Sequence, residues 1–463
     1  MDTSKIIFVI FLFSVCTFIG FYIKNRPRYI LCLMIFFAPM KLGWVFRHNN
    51  GIFLVDVPLF LLLIIALLSE RRFKFYWALP VFGFIGWSLL TGLLAVRFDI
   101  VFSELTRFLR AYLAFLCVIH FARTKKDFDA IFYTIIACFA FNSFIGFLEW
   151  RTGHLGLSFM GEESFWIRAG GLFIHPNIFG DFLIFLLPLL LRMFAFYKHK
   201  KRIHNGYYGL LFLIGLSALL ATYARGAWLS FAGAVIIMLL YSLFKIRFYP
   251  KVVGAAAFLV LLATIFAVHY TPAIVSQFEG DYRGRAASIR MPLNRIALRM
   301  IKDHPLIGVG LGNYEEHTYK YAPDEVSEKH HYWELLQIVH NTYLLNLAET
   351  GIPGFILYFT FIVLIFKRGF KVINKKNSMI SNIGLGLLTG FLAIHVAFLA
   401  GPDGRNHQIQ MIYWIYAGYL FNLSRIKLAP KKNVVEESLQ NVKENFPIIN
   451  TNGNSNVENL HVK

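Results

Sequence analysis

The sequence predicts an all-α, polytopic membrane protein, in which twelve or thirteen transmembrane helices form a bundle and one large external loop carries short helices. Of its 463 residues, 57% are hydrophobic and only 16% are charged, whereas about 25% of the residues in a soluble domain are charged. Apolar runs long enough to cross about 30 Å of hydrocarbon recur along the chain. Lysine and arginine gather between alternate runs, as membrane topology requires.

Thirteen apolar runs are candidate spans. Two of them are weak, because 29–46 is interrupted by Pro39 and Lys41 and 107–122 begins with two arginines. If one weak run only dips into the membrane, the count becomes twelve. The predicted spans are 5–23, 29–46, 52–69, 77–95, 107–122, 128–149, 172–194, 207–223, 226–245, 252–270, 352–366, 379–400 and 408–423.

The basic residues predict the orientation. Cytoplasmic loops of membrane proteins carry an excess of lysine and arginine, so the basic connections and the C-terminus are expected in the cytoplasm. Thirteen spans then place the N-terminus outside, and twelve place it inside. The basic connections are 24–28, 71–74, 123–126, 198–202, 245–251, 367–376 and 425–432. The opposite connections hold isolated arginines, chiefly Arg47, Arg97, Arg151, Arg168, Arg225 and Arg405.

Two polar pieces interrupt this pattern. Residues 271–338 form the large external loop within a bundle of residues 1–423, and residues 424–463 are Asn-rich and predict a disordered cytoplasmic tail. The formal charge of +20 would suit a nucleic-acid binder. However, the basic residues occur in short groups between apolar runs rather than on one aromatic-rich face, which argues against nucleic acid.

Several polar side chains at the external face could carry chemistry. Arg225 follows a very short connection between two spans, and Arg168 precedes another span. An arginine at the membrane boundary pairs, reaches toward headgroups or binds an anion. Pro176 and Asn177 predict the start of a helix, where His175 is either a cap, a ligand or an acid/base group.

The external loop contains a basic helix and a glycine turn. Near-helical spacing predicts a cationic stripe with Ile296, Leu298 and Ile301 turned away, although such a stripe is often only a solvated face. The basic positions are Arg290, Arg295, Arg299 and Lys302. The glycine turn at 308–312 has no strand and helix around it, which argues against a dinucleotide site.

The loop exit, residues 338–355, holds a second polar group. His340, Tyr343, Asn346 and Glu349 lie within about three helical turns, and the spacing directs His340 toward Tyr343. Since histidine titrates near neutrality, His340 suits acid/base work. A capping role for this histidine is the alternative.

Taken together, four segments resemble the bacterial O-antigen ligase and O-antigen polymerase superfamily. The resemblance covers about residues 60–425, with the segments in the family's order. They are GGLFIHPN (170–177), YARGAWLS (223–230), RMPLNRIALRMIKDHPLIGVG (290–310) and HNTYLLNLAETGIPG (340–354).

The resemblance implies a glycosyltransferase of the bacterial inner membrane, acting on a glycan carried by a polyprenyl diphosphate at the periplasmic face. It implies that Arg225 and Arg290 hold the diphosphate and that His340 is catalytic. Arg295 stands where many family members have tryptophan, so it is a further candidate for the second arginine. The supporting residues are Arg168, His175, Asn177, Asn341, Tyr343 and Glu349.

The chemistry is consistent with these residue types. Arginine holds phosphate oxygens bidentately and stays charged when partly desolvated, and histidine can take the acceptor's proton. No carboxylate cluster suggests a metal ion, so neither metal nor cofactor is expected. The expected partners are the lipid-linked glycan donor, a glycan or lipid A core acceptor, membrane lipid and other polysaccharide-assembly proteins.

The alternative function is a transporter or flippase of lipid-linked sugars that forms no glycosidic bond. That function favours ionisable residues near the midplane and broken helices in both halves of the chain. Few charges lie in the middle of the predicted spans. Among the transferases, we prefer the polymerase slightly over the ligase, because the loop shows no feature suited to a lipid A core.

Overall fold

The computed structural model describes residues 18, 26–40, 43–45, 51–152, 168–173, 175–197, 202–245, 289–327, 331–376 and 378–426. The chain divides into two units, residues 1–424 and 425–463. Two predicted spans, 5–23 and 252–270, lie outside the described residues. The same holds for the predicted tail beyond residue 426 and for the first part of the predicted external loop.

Thirteen α-helices account for most of the described residues, which confirms the all-α fold class. Every predicted span within the described ranges corresponds to a helix, and α9 and α10 are the short helices expected in the loop. The helices are α1 (Pro27–Phe37), α2 (Asp56–Leu68), α3 (Ala78–Gly92), α4 (Phe98–Phe121), α5 (Lys125–Thr152), α6 (Pro176–Ala195), α7 (Arg202–Ala221), α8 (Arg225–Lys245), α9 (Arg290–Asp303), α10 (Glu315–Tyr321), α11 (Thr342–Ile373), α12 (Ser378–Ala397) and α13 (His407–Arg425).

Six of these helices, α5, α6, α7, α8, α11 and α12, are long and apolar enough to cross a membrane. The chain is therefore a multi-pass membrane protein. Helices α1, α2 and α3 are apolar but shorter. At 1.5 Å per residue, the 11 residues of α1 extend only about 16 Å, well short of the hydrocarbon thickness.

The predicted span 29–46 is wrong in its second half. Helix α1 ends at Phe37, because Pro39 cannot supply the amide that another turn needs. The chain then forms an antiparallel hairpin of β1 (Gly43–Val45) and β2 (Gly51–Phe53), with Trp44 opposite Ile52. No other strand pair occurs within the described ranges.

The predicted start of span 107–122 is also wrong, because α4 begins at Phe98. Its arginines do not end the helix, since they have buried partners. The Nη1 atom of Arg110 donates to the Asp56 carboxylate at 2.9 Å and to the Gly51 carbonyl at 3.0 Å. Asp56 in turn accepts from the Phe53 amide at 2.8 Å. These bonds attach the hairpin to α4.

Helices α6 and α12 form the centre of the bundle and pack directly on each other. Gly390 of α12 lies so close to α6 that a Cβ atom would collide with the Phe185 carbonyl oxygen. Gly386 meets Leu189 in the same way. Small residues permit this close approach of membrane helices. The result is a closely packed centre, and the first turn of α6 lies at one end of it.

The described part of the predicted external loop, which begins at Ile289, folds as a cap with its own apolar core. Ile296 of α9 is fully buried there, as predicted, but Leu298 is 53% exposed, contrary to the predicted stripe. The core also includes Leu345 and Ala348, so the cap is continuous with the start of α11. The other core residues are Ile289, Leu293, Ala297, Met300, Tyr314, Tyr321, Ala322, Leu335 and Val339.

The glycine turn at 308–312 contacts a kink in α11. Gly308, Gly310 and Gly312 have φ values of 71°, 96° and 80°, and Gly351 in α11 has φ of 63°. Residues other than glycine rarely adopt such positive φ angles. A Cβ at Gly308 would also collide with the Glu349 carbonyl. These glycines therefore allow the backbone of the turn to lie close to the backbone of α11.

The kink leaves backbone amide and carbonyl groups without partners inside α11, and residues of other elements form hydrogen bonds with them. The Ile352 amide donates to the Pro305 carbonyl at 2.9 Å, and the Trp87 indole donates to the Thr350 carbonyl at 2.8 Å. A break in a membrane helix requires such substitutes. The cap and α3 thus fix the direction in which α11 enters the bundle.

Candidate active site

Arg225 is the first residue of α8, directly after a very short connection from α7. Tyr223 in this connection has a φ of 52°. The buried Thr222 hydroxyl accepts from the Ala224 amide at 3.1 Å and donates to the Leu219 carbonyl at 2.7 Å. These bonds fix the turn, so the half-buried Arg225 is held where α7 ends and α8 begins.

Arg168 joins this turn to the start of α6. Its Nε donates to the Thr222 carbonyl at 2.9 Å, and its Nη2 donates to the Asn177 side-chain oxygen at 2.9 Å. The next residues are fixed from α5, where the buried Glu149 carboxylate accepts from the Gly170 and Gly171 amides at 2.9 and 2.6 Å. Arg168 and Asn177 therefore position neighbouring groups.

His175 caps α6, which begins at Pro176 as predicted. The Nδ1 atom of His175 accepts from the Asn177 amide at 3.2 Å. Desolvation and then the charges of Arg168 and His340 lower the pKa of His175. A neutral imidazole suits this capping bond, and the electrostatic effect of His340 shows that the two histidines are neighbours.

Arg290 is the first residue of α9 and lies beside Arg225. Desolvation and then the charge of Arg225 lower the pKa of Arg290, while Asp403 opposes the shift. The side chain of Arg290 is exposed. Each guanidinium group lies within electrostatic range of the other, and an anion between them would offset their repulsion. The two arginines thus form a site whose electrostatics favour an anion.

His340 lies next to Arg290, immediately before α11. Desolvation and then the charge of Arg290 lower its pKa, so the imidazole is neutral at pH 7. Its Nδ1 atom is buried and has no hydrogen-bond partner among the described residues. Asn341 caps α11 by accepting from the Tyr343 and Leu344 amides at 2.9 and 3.1 Å. This cap fixes the position of His340.

Asp403 completes the group and was not predicted. It lies in the short connection between α12 and α13, where burial raises its pKa to about 6 and Arg290 opposes the shift. The carboxyl of Asp181 in α6 is close enough to interact with it electrostatically. Asp181 is buried, and within the described part of the chain its Oδ2 has no partner.

A cavity of about 460 Å³ extends from Asp403 toward α4 and the cap. Four carboxylates and two guanidinium groups line it, together with apolar side chains. The charged lining residues are Glu104, Arg107, Glu315, Glu349, Asp403 and Arg405, and the apolar ones include Phe53, Ile100, Ile178, Ile338 and Leu345. This volume is within the range of small-molecule sites.

Buried ion pairs form one wall of the cavity. Glu349 of α11 accepts from both terminal nitrogens of Arg405 at 2.6 and 2.5 Å. The Nε of Arg405 lies 3.6 Å from the Glu104 carboxylate, which also pairs with Arg107. Positive and negative groups alternate here, so their charges are neutralised.

The described hydrogen bonds and ion pairs of Arg295 and Tyr343 are made with residues other than Arg225, Arg290, His340 and Asp403. Arg295 lies five residues after Arg290, about 140° around the helix. Its guanidinium pairs with Glu325 at 2.7 Å. The Tyr343 hydroxyl donates to the His395 carbonyl at 3.0 Å inside the bundle. Contrary to the predicted spacing, His340 precedes the helix that contains Tyr343.

Neither Asp403 nor the pairing of Glu349 with Arg405 is predicted from the sequence. Both Asp403 and Arg405 belong to the segment GPDGRN (401–406), which has the composition of an ordinary turn between two spans. The available signal is an acid and an arginine in a connection of a few residues at the predicted external face. Their partners are distant in sequence, so no local pattern indicates the contact.

The arrangement can bind an anion beside a neutral base and next to a polar cavity. Residues 210–359, about a third of the chain, match a protein family described as O-antigen ligase. This match confirms the resemblance to the O-antigen ligase and polymerase superfamily. It also indicates a membrane glycosyltransferase of the ligase or polymerase type. No curated protein matches the chain.

Proposed function

We propose that this membrane glycosyltransferase of the O-antigen ligase and polymerase superfamily acts at the periplasmic face of a bacterial inner membrane. Its donor is a glycan on a polyprenyl diphosphate, and its acceptor is a sugar hydroxyl. The observation that carries the proposal is the proximity of Arg225, Arg290, His340 and Asp403, which come from four separate parts of the chain.

Arg225 and Arg290 hold the donor diphosphate. An anion between them removes their mutual repulsion, and guanidinium groups bind phosphate oxygens bidentately. Their charge also stabilises the negative charge that grows on the leaving diphosphate in the transition state. The lipid tail then extends along the helix ends into the outer leaflet. In this arrangement Arg168 and Asn177 position the turn, and Arg295 holds α9 against Glu325.

His340 takes the proton of the acceptor hydroxyl. As that oxygen forms a bond to the anomeric carbon, the bond from this carbon to the diphosphate oxygen breaks, and the electron pair leaves with the polyprenyl diphosphate. The proton moves to the imidazole of His340 and then to water. Asp403 balances the charge of Arg290 beside this histidine.

The acceptor sugar occupies the cavity of about 460 Å³. Arg107 and Arg405 pair with Glu104 and Glu349. Asp403 faces Arg290, so Glu315 is the lining acid that no arginine balances among the described residues. Carboxylates accept hydrogen bonds from sugar hydroxyls, but they repel an anionic acceptor. The cavity therefore favours an uncharged glycan over the anionic lipid A core. For this reason we assign polymerase activity in preference to ligase activity.

The test is complementation of a deletion strain, read on a polysaccharide gel. Arg225→Ala should lower glycan transfer by about 10²- to 10³-fold, because a donor to the transition-state charge is lost. Arg151→Ala, an exposed arginine at the end of α5, is the matched control and should retain activity. If both variants reach the membrane equally, normal surface polysaccharide with Arg225→Ala would contradict the proposed role of Arg225 in glycan transfer.

The form of the accumulated glycan separates the alternatives. A polymerase deletion leaves single repeat units on the surface, whereas a ligase deletion leaves long chains that are not attached to the core. Vesicles that move lipid-linked sugar across the membrane without forming a glycosidic bond would instead support a flippase.

A further inference from the structure

A second, larger cavity lies at the opposite end of the bundle from the candidate active site. Its volume is about 840 Å³, and it opens between the start of α1, the end of α2 and the junction of α4 with α5. Helix α4 connects the two cavities, with Glu104 in the first and His120 in the second. Sixteen residues at 1.5 Å rise separate them by about 24 Å, close to the hydrocarbon thickness.

Four arginines line this second cavity. They are Arg26, Arg28, Arg71 and Arg123, and the acids in the lining are Glu70 and Asp127. The formal balance is +2 (4 bases, 2 acids, with histidine neutral). On the orientation that the charge distribution predicts, this end faces the cytoplasm. The volume exceeds the needs of a single ion and suits a ligand of headgroup size.

Hydrogen bonds from the Nε atoms fix two of these guanidinium groups, those of Arg28 and Arg123. The Nε of Arg28 donates to the Asp127 carboxylate at 2.5 Å, and the Nε of Arg123 donates to the His120 carbonyl at 2.7 Å. Asp127 is itself held by the Thr124 amide at 2.7 Å. Among the described residues, no carboxylate pairs with Arg71 or Arg123. Their terminal nitrogens are therefore available to an external anion.

His120 provides an independent indication of a ligand. Its side chain is only 7% exposed, and its Nε2 atom has no hydrogen-bond partner within the described ranges. A buried polar atom without a partner is costly unless something else satisfies it. Because His120 lines the cavity, an oxygen-rich ligand can supply the missing bond.

We infer that this cavity binds the phosphate-bearing headgroup of an anionic lipid, with a two-phosphate headgroup such as that of cardiolipin as the best match to the balance of +2. Basic pockets between membrane helices on the cytoplasmic side bind such headgroups, and arginine forks suit phosphate oxygens. The excess of basic residues in cytoplasmic loops does not by itself require that these arginines line a cavity. Arg72 and Lys125 provide the same topological charge in the same connections without lining the cavity.

The test is native mass spectrometry of the purified full chain, titrated with cardiolipin or with phosphatidylcholine. The variant Arg71→Gln/Arg123→Gln should bind cardiolipin on the order of tenfold or more weakly than the wild type. The matched control Arg72→Gln/Lys125→Gln removes the same charge and should bind within about twofold of the wild type. Equal loss in both variants, or loss in neither, would overturn the inference.

Two further arms test the identity of the ligand and the integrity of the fold. Inorganic phosphate should not displace cardiolipin, and displacement at equal concentration would show a site for free phosphate rather than lipid. Arg71→Lys/Arg123→Lys keeps the charge and should bind cardiolipin more tightly than the glutamine variant. If the lysine variant folds normally but binds no better than the glutamine variant, charge attraction to a headgroup is excluded.

Discussion

Two groups of arginines lie at the same end of the bundle and differ in how their charge is balanced. Arg107 and Arg405 alternate with Glu104 and Glu349 and are largely buried. Arg225 and Arg290 lie beside each other, with Asp403 as the nearby acid. Neutralised charges hold helices together, whereas like charges in proximity favour a bound anion. Arg107 and Arg405 therefore build the site, whereas we propose that Arg225 and Arg290 bind the donor.

The largest expected effect concerns the neutralised group. Glu349→Ala removes the carboxylate oxygen that accepts from both terminal nitrogens of the buried Arg405, so the free energy of unfolding should fall by about 3–5 kcal/mol. The midpoint of thermal unfolding in detergent should fall accordingly. The double variant Glu349→Leu/Arg405→Met removes both charges and should recover most of that stability. A stable single variant would show that this pair does not hold α11 to the connection before α13.

The next effect concerns two arginines on the same helix. Arg290→Ala should lower glycan transfer by about 10²- to 10³-fold without a change in the thermal midpoint, because it removes a donor to the diphosphate. Arg295→Ala breaks a half-exposed ion pair with Glu325, which is worth about 0–1 kcal/mol of stability, and should leave transfer within about threefold. Equal losses of transfer in the two variants would remove the distinction between binding and positioning arginines on α9.

The smallest effect is a pH dependence. Asp403, with its pKa raised to about 6, loses its negative charge as the pH falls through that value, and Arg290 then loses its balancing charge. The pKa of His340 lies below its usual value of about 6.5, so its neutral form persists to lower pH. Transfer should therefore fall on the acid side with a midpoint near 6.

The variant Asp403→Asn makes this prediction specific. It should lower transfer by about tenfold at pH 7, the effect of roughly 1.4 kcal/mol of lost charge balance. The fall near pH 6 should also disappear, which leaves only the titration of His340, whose pKa is lowered from its usual value. A fall that persists near pH 6 in this variant would assign the titration to another group. Adding His340→Gln to Asp403→Asn should abolish the remaining pH dependence along with most of the activity.

The sequence predicts most of the helices but little of the polar network. Apolar runs show where helices lie because burial in lipid is a local property of the chain. Pro39 indicates that the helix ends before it. The hairpin after α1, however, depends on Arg110 and Asp56, which are distant in sequence. Likewise, His340 was identified from its motif, whereas its neighbour Asp403 comes from a segment that resembles an ordinary turn.

The kink at Gly351 has a consequence for the order of assembly. Its free backbone groups bond to Trp87, Pro305 and Gly310, and all three precede α11 in the chain. During synthesis, each partner is therefore made before the broken segment enters the bilayer. Helix α11 can therefore insert against partners that have already been made, so the break need not face lipid with unsatisfied amides.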